Sequence, residues 1–175
     1  MRARWLVVVG VLTASLSGYG DNVKAASKNN QQVNLSKYDT FFMMKGNSTG
    51  DAARDERLTS DVKSALMSKG WVELAEGAGQ AAVIVHVATS EQHTDEAFYK
   101  GWGGWNWRWN GPGSPARSVE DYKVGTVVVT IFDADTKQAV WRGFAADALP
   151  KNPKDADKVH DTAVARIFAH FPPAR

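Results

Sequence analysis

The sequence predicts an α+β domain: a two-layer sandwich in which about five strands form one sheet and two helices pack on one face of it. Two segments have the apolar spacing of amphipathic helices, and five short segments have the composition of strands. Their order along the chain is strand, helix, strand, strand, hairpin, helix. The 175 residues suffice for one such domain, and the absence of cysteine excludes disulfides and thiolate metal sites.

The domain is predicted to begin with a strand that leads into a helix. Tyr38 to Met44 is aromatic and apolar and stops before Gly46, which is typical of a short strand. Asp51 is a suitable N-cap, and Gly70 stands where a glycine commonly ends a helix. Between them, four apolar residues recur along one helical stripe: Leu58, Val62, Ala65 and Leu66.

The middle of the chain predicts the remaining four strands. Trp71 to Leu74 is a short apolar segment, and Ala81 to Thr89 is rich in valine and isoleucine, as expected of a central strand buried on both faces. Val124 to Phe132 and Ala139 to Ala146 flank the turn-forming residues 133–137, which predicts a β-hairpin.

A second helix is predicted to close the domain. Asn152 is a suitable N-cap and Pro153 fits the first helical turn, while Pro172 ends the helical pattern. The apolar stripe between them comprises Ala156, Val159, Ala163 and Ile167, widened by Val164, Phe168 and Phe171.

The first 25 residues have the pattern of a signal peptide. Arg2 and Arg4 precede an apolar run from Trp5 to Leu16, which is shorter than the roughly 20 residues a membrane-spanning helix needs. Small residues at Val23 and Ala25 predict cleavage after Ala25. The chain then divides into a signal peptide (1–25), a polar tether (26–36) and one envelope domain (37–173); a buried N-terminal helix is the alternative for the apolar run.

The charge balance of the mature chain argues against nucleic acid as a partner. Removing Arg2, Arg4 and Lys24 from 21 basic residues, and Asp21 from 19 acidic ones, leaves 18 of each. Proteins that bind nucleic acid usually carry a basic face or stripe, and the basic residues here do not cluster.

An ordered set of short motifs resembles a known bacterial family. The set includes Tyr38-Asp39-Thr40-Phe41, Leu66 to Trp71, Gly101-Trp102-Gly103-Gly104-Trp105, Gly125-Thr126-Val127, Val140-Trp141-Arg142-Gly143 and Phe171-Pro172-Pro173. Across about residues 38–173 the chain resembles the lipoprotein-like "domain of unknown function 4136".

The resemblance implies an envelope lipoprotein of unknown activity, with no catalytic residues to carry over. One position departs from that pattern. Leu16-Ser17-Gly18 is followed by Tyr19, where a lipoprotein signal requires the cysteine that is acylated. Without a cysteine a thioether lipid anchor cannot form, and we expect a periplasmic or secreted protein. Either this member is a soluble protein, or Tyr19 replaces an ancestral cysteine.

The segment from 90 to 122 is the feature that a plain core does not explain, because long irregular loops in compact domains are usually functional or disordered. It is rich in glycine and aromatic residues, and exposed aromatic rings favour a covering partner. That partner is an envelope protein, a membrane surface or a glycan. Alternatively, the rings fold back on the domain's own sheet, or the segment is a flexible insert. The candidate contact residues are Trp102, Trp105, Trp107, Trp109 and Arg108.

Metal and catalytic sites are not predicted, and neither is a cofactor. His86 is expected to be a buried strand residue, and His93 beside Asp95 lacks recognised metal-ligand spacing. The glycines from Gly46 to Gly50 lack the Gly-Lys-Ser/Thr ending of a phosphate loop. We therefore expect a non-catalytic binding or structural domain. The alternative is a carbohydrate-binding domain or a glycan-acting hydrolase that uses acids flanking the aromatic segment: Glu91, Glu96 and Asp121.

Overall fold

The computed structural model of the protein describes residues 24–29, 34–46, 49–88, 124–146, 148 and 156–174. These residues form six strands, two α-helices and one 3₁₀-helix (Leu35–Lys37). The strands and α-helices are β1 (Lys24–Asn29), β2 (Thr40–Met44), α1 (Ala52–Ser68), β3 (Val72–Glu73), β4 (Ala81–Val87), β5 (Val127–Asp133), β6 (Ala139–Ala146) and α2 (Ala156–Ile167). Within this part of the chain, neither helix is long and apolar enough to cross a membrane.

The strands form one open sheet in the order β1-β6-β5-β4-β2-β3. β2 runs parallel to both β3 and β4, and the other neighbours are antiparallel. α1 connects the parallel strands β2 and β3. The predicted α+β class is confirmed, with all five predicted strands and both predicted helices present.

The sixth strand differs from the sequence expectation. Lys24–Asn29 was assigned to the end of the signal peptide and to the tether, but it pairs antiparallel with β6 over six residues, from Lys24 opposite Ala146 to Asn29 opposite Trp141. The outer edge of β6 offers backbone donors and acceptors to any extended chain, and a polar composition suits an edge strand. Cleavage after Ala25 would leave Ala26–Asn29 of this strand.

The ends of α1 follow the predicted capping chemistry. The Asp51 carboxylate accepts a hydrogen bond from the Arg54 amide at 3.2 Å. At the other end Gly70 has a φ of +90°, which glycine adopts without steric cost. Its amide and that of Trp71 donate to the carbonyls of Met67 and Leu66, and this Schellman motif turns the chain into β3.

The main core lies between the sheet and the two helices and contains a chain of aromatic rings. Trp141 is fully buried in β6 and stacks on Phe168 at 5.2 Å between ring centroids. Phe171 meets Trp141 edge-on at 5.0 Å and also packs against Trp71 at 5.4 Å. The residues after α2 therefore join its end to the start of β3.

The opposite face of the sheet is also shielded from solvent. Phe42, Ile84 and Phe132 form an apolar cluster there, each no more than 2% exposed. Among the described residues, no helix contributes to that cluster. Alternation along β6 predicts that, of the neighbours Trp141 and Arg142, one is buried and the other exposed, but Arg142 is also buried, on the second face. Adjacent strand residues do point to opposite faces, but here both faces are covered.

Asp133, at the end of β5, joins the start of the domain to the β5–β6 turn. The Tyr38 hydroxyl donates to its carboxylate at 2.7 Å, as does the Thr136 amide, and Lys37 lies 3.5 Å away. Partial burial acts to raise the pKa of Asp133, but the hydrogen bonds and the Lys37 charge outweigh it and lower that pKa to about 2. Burial and the bond to Asp133 raise the pKa of Tyr38.

Replacing Asp133 by asparagine is expected to lower the free energy of unfolding at neutral pH by about 1–3 kcal/mol, because charge-assisted hydrogen bonds are lost. Since the folded-state pKa lies below the ordinary 3.8, the carboxylate stabilises the fold above about pH 4 and loses this effect as the pH falls toward 2. Urea denaturation at pH 7, 4 and 2.5 measures both effects. A variant as acid-sensitive as the wild type would contradict this assignment.

Candidate functional site

The parallel strands β2 and β4 present their carboxyl ends side by side, because Met43 pairs with Val83 and Met44 with Ile84. α1 follows β2, so the loop before the helix crosses this end of the sheet. In open sheets with parallel strands, ligand-binding crevices form at the carboxyl ends. This end of the sheet is therefore the first place to examine for a site.

A crevice of about 470 Å³ lies there, between the strand ends and the first turns of α1. Its size falls within the range of roughly 300–1,000 Å³ that small-molecule sites occupy. The apolar part of its lining comprises Met43, Met44, Leu58, Val85 and Val87, and the charged part includes Lys45, Asp55, Glu56 and Lys63.

Gly46 lets the chain pass over the end of β4 at this crevice. A Cβ atom at this position would lie 1.8 Å from the Val85 carbonyl oxygen, far inside van der Waals contact. Any residue other than glycine would push the β2–α1 loop away from β4. Gly46 therefore shapes the wall of the crevice through backbone packing rather than through a side chain.

The loop is held to the first turn of α1 by Thr49. The Thr49 amide and hydroxyl both donate to the Asp55 carboxylate, at 3.0 and 2.7 Å. Asp51, the N-cap, accepts the first backbone bond of the helix from the Asp55 amide at 3.0 Å. Asp55 therefore orders the loop, and its lone pairs are engaged within the protein.

The remaining charges lie around the apolar floor. Lys63 forms an ion pair with Glu73 of β3 at 2.7 Å, while Lys45 and Glu56 are exposed. Within the described ranges, no three histidine, aspartate or glutamate side chains converge as metal ligands would. The arrangement suits an apolar group held against methionine and valine, with polar groups at the rim.

The site residues predicted from sequence, Trp102, Trp105, Trp107, Trp109 and Arg108, lie outside the described residues. The acids that flank them, Glu91, Glu96 and Asp121, lie outside as well, as do His93 and Asp95.

The chain topology nevertheless relates the aromatic segment to the crevice. The segment follows Ala88, directly after β4, whose Val85 and Val87 line the crevice. The described residues on either side of the segment are hydrogen-bonded to each other: the Ala88 amide donates to the Thr126 carbonyl at 2.9 Å, and the Gly125 amide donates to the Ala88 carbonyl at 2.8 Å. The described chain therefore ends at Ala88 and resumes at Val124 at the end of the sheet where the crevice lies.

His86 is buried in β4 opposite Val128, as the sequence predicted for a strand residue. Burial lowers its pKa to about 4, because the low-dielectric surroundings disfavour the charged imidazolium. At neutral pH it is therefore an uncharged part of the second sheet face. Of the two histidines of the last helical region, His160 is buried and His170 is exposed.

Sequence reasoning missed the crevice and the role of Gly46. The available signal was a glycine two residues after a predicted strand, but a glycine that serves only to form a turn has the same appearance in a sequence. The close approach of Gly46 to Val85 joins residues 39 positions apart, and only the pairing of β2 with β4 reveals it.

The geometry defines a class of protein first: a small α+β domain with a mixed open sheet, two helices on one face and a crevice at the parallel strand ends. Within that class, residues 25–173 match the family described as "Domain of unknown function (DUF4136)". The chain belongs to this family, which confirms the resemblance inferred from its motifs. No curated protein matches the chain.

Solved structures with the same fold share little sequence with the chain. A DUF4136 family protein from Bacteroides thetaiotaomicron has a TM-score of 0.61 at 14% identity, covering 85% of this chain and 95% of its own. A PelC dodecamer from Paraburkholderia phytofirmans has a TM-score of 0.52 at 14% identity, covering 87% and 99%. A PDZ domain protein from Parabacteroides distasonis has 0.53 at 12%, covering 86% and 36%. At these identities the likeness establishes the fold alone.

Proposed function

We propose that the protein is exported to the bacterial envelope and acts there, in the periplasm or outside the cell, as a non-catalytic binding or structural domain. One observation carries the binding role. The residues that flank the segment with four tryptophans, Ala88 and Gly125, are hydrogen-bonded to each other at the end of the sheet where the crevice lies. The chain therefore enters and leaves that segment at the same end of the molecule as the apolar floor.

The energetics favour a contact role for this end. Each large aromatic ring can bury roughly 150–250 Å², and such residues dominate binding energies at interfaces. The methionines at the crevice wall adapt to irregular apolar surfaces. The contact partner is an envelope protein, a membrane surface or a glycan, and Arg108 adds a cation beside the rings.

A non-catalytic role fits how the charged groups of the crevice are used. Asp55 is committed to Thr49, and Lys63 is paired with Glu73. A glycan hydrolase would need two carboxylates facing one bond. The acids proposed for that alternative, Glu91, Glu96 and Asp121, flank the aromatic segment in sequence.

A structural role has separate support. PelC from Paraburkholderia phytofirmans, which has this fold, forms a dodecamer. The present chain has an open sheet with two edge strands, and the unpaired backbone groups of an edge strand can pair with another chain.

Export is tested by expressing the full chain and fractionating the cells. We expect a periplasmic or secreted protein whose mass corresponds to cleavage near Ala25, with no lipid attached, because the chain lacks cysteine. An uncleaved chain found in the cytoplasm would refute the envelope assignment.

The contact role is tested with the double variant Trp105→Ala and Trp107→Ala. We expect at least a tenfold loss of retention on envelope fractions or a glycan array, with a melting temperature close to that of the wild type. Met67→Ala, at a side chain 56% exposed elsewhere on the domain, is the control and should bind normally. Unfolding of the double variant would make these tryptophans core residues and remove the contact role.

Turnover of chromogenic glycosides that disappears in Glu91→Gln or Glu96→Gln would favour the hydrolase instead.

A further inference from the structure

The two edges of the sheet differ in a way that bears on self-association. β3 forms one edge and β1 the other. An edge strand presents unpaired backbone donors and acceptors, which proteins usually protect with charges, bulges or covering elements. The charges and the exposed side chains along each edge strand therefore indicate which kind of surface that edge can bind.

The β3 edge is apolar and exposed. Val72 and Leu74 donate their amides to the carbonyls of Asp39 and Phe41 at 2.8 Å, so alternation directs the Glu73 backbone groups away from β2. The Val72 and Leu74 side chains are 54% and 40% exposed, and Met67, at the end of α1, is 56% exposed. Within the described residues, Val124 is the one other large hydrophobic residue so exposed.

The segments that form the two edges differ in charge. From Trp71 to Gln80, around β3, there are two acidic residues and no basic one: Glu73, which forms an ion pair with Lys63 of α1, and Glu76. β1 holds Lys24 and Lys28 and no acidic residue. If the signal is cleaved after Ala25, the new terminal amine and Lys28 keep this edge positive.

The directions of β1 and β3 also allow these two edge strands to pair between copies. β3 runs parallel to β2 and β4, whereas three successive antiparallel steps, through β5 and β6, make β1 run opposite to β4. When one copy is placed beside another in the plane of the sheet, β1 and β3 therefore meet antiparallel. Such a contact joins two different surfaces, so it repeats from copy to copy and closes into a ring or extends as a filament.

We propose that the β3 edge of one copy docks against the β1 edge of a second copy, head to tail. In this contact the backbone of Glu73 adds to the pairing, Val72 and Leu74 bury apolar area, and the negative charge of Glu76 attracts the basic β1 segment. The proposal deepens the structural side of the proposed function and is independent of the aromatic segment, because loss of self-association would leave envelope retention unchanged.

The mature protein is tested by sedimentation over a range of concentrations. We expect species larger than a monomer that dissociate at high salt, because charge attraction contributes to the contact. The pair Val72→Lys with Leu74→Lys should be monomeric with an unchanged melting temperature. Val124→Lys, at a side chain 59% exposed away from this edge, is the matched control and should assemble like the wild type. A wild type that stays monomeric at all concentrations would overturn the proposal.

Cross-linking tests which edges meet, and the absence of native cysteine makes it unambiguous. We expect Lys28→Cys and Glu76→Cys, mixed and mildly oxidised, to form a disulfide-linked dimer, while each variant alone stays mostly uncross-linked. A dimer formed by Glu76→Cys alone would indicate a symmetric β3–β3 contact and overturn the head-to-tail arrangement. Equal cross-linking in all three samples would show random collision and also refute it.

Discussion

Replacing Trp141 by alanine is expected to lower the free energy of unfolding by about 3–5 kcal/mol, a large part of the roughly 5–15 kcal/mol by which domains are ordinarily stable. The ring is fully buried and touches Phe168 and Phe171, each of which packs against the other at 5.4 Å. Its removal opens a cavity at the centre of the aromatic chain and breaks two ring pairs. Urea denaturation followed by circular dichroism measures the loss.

Two further variants test whether the loss of stability is specific to removing the Trp141 ring. Trp141→Phe keeps an aromatic ring against Phe168 and should lose less stability than alanine. Met67→Ala, at an exposed site, should change the free energy of unfolding by less than about 0.5 kcal/mol. A Trp141→Ala variant within 1 kcal/mol of the wild type would mean that these rings do not hold the last helical region to the sheet.

Gly46→Val is expected to cost about 3 kcal/mol or more and to distort the crevice, because its Cβ would stand 1.8 Å from the Val85 carbonyl oxygen. The obstacle is backbone, so relief requires moving the β2–α1 loop or the end of β4. Thermal and urea denaturation measure the cost, and hydrogen exchange of Val85 and Val87 reports whether the end of β4 opens.

Gly50→Ala is the control, since it lies in the same loop and has a φ of +86° but no atom within 4 Å of an added Cβ. It should show only the cost of a left-handed backbone, about 1–2 kcal/mol. If Gly46→Val is no more destabilising than Gly50→Ala, the close packing of the loop on β4 is not a constraint on this fold.

These results would also bear on function, because the loop of Gly46 forms one wall of the crevice and β4, the strand that precedes the aromatic segment in sequence, forms another. A folded Gly46 variant with weakened retention on envelope fractions would indicate that the crevice takes part in the contact. Normal retention would assign the contact to the aromatic segment alone.

Local patterns in the sequence determined most of the elements. The stripe Leu58, Val62 and Leu66 is the buried face of α1, Asp51 is its N-cap and Gly70 its left-handed stop. The hairpin of β5 and β6 was likewise predicted from two strand-like segments that flank turn-forming residues. Each of these features depends on residues within a turn or two of one another, where propensity, periodicity and capping act directly.

Only the tertiary structure decided the pairing of β1 with β6, the burial of Arg142 and the crevice beside Gly46. A polar segment such as Lys24–Asn29 gains its order from the free edge of a strand more than 100 residues away. Strand alternation placed Trp141 and Arg142 on opposite faces, but whether the second face is covered depends on the rest of the chain. These three features depend on packing between residues that are far apart in the sequence. A local sequence pattern does not specify which distant strand or loop will lie beside it.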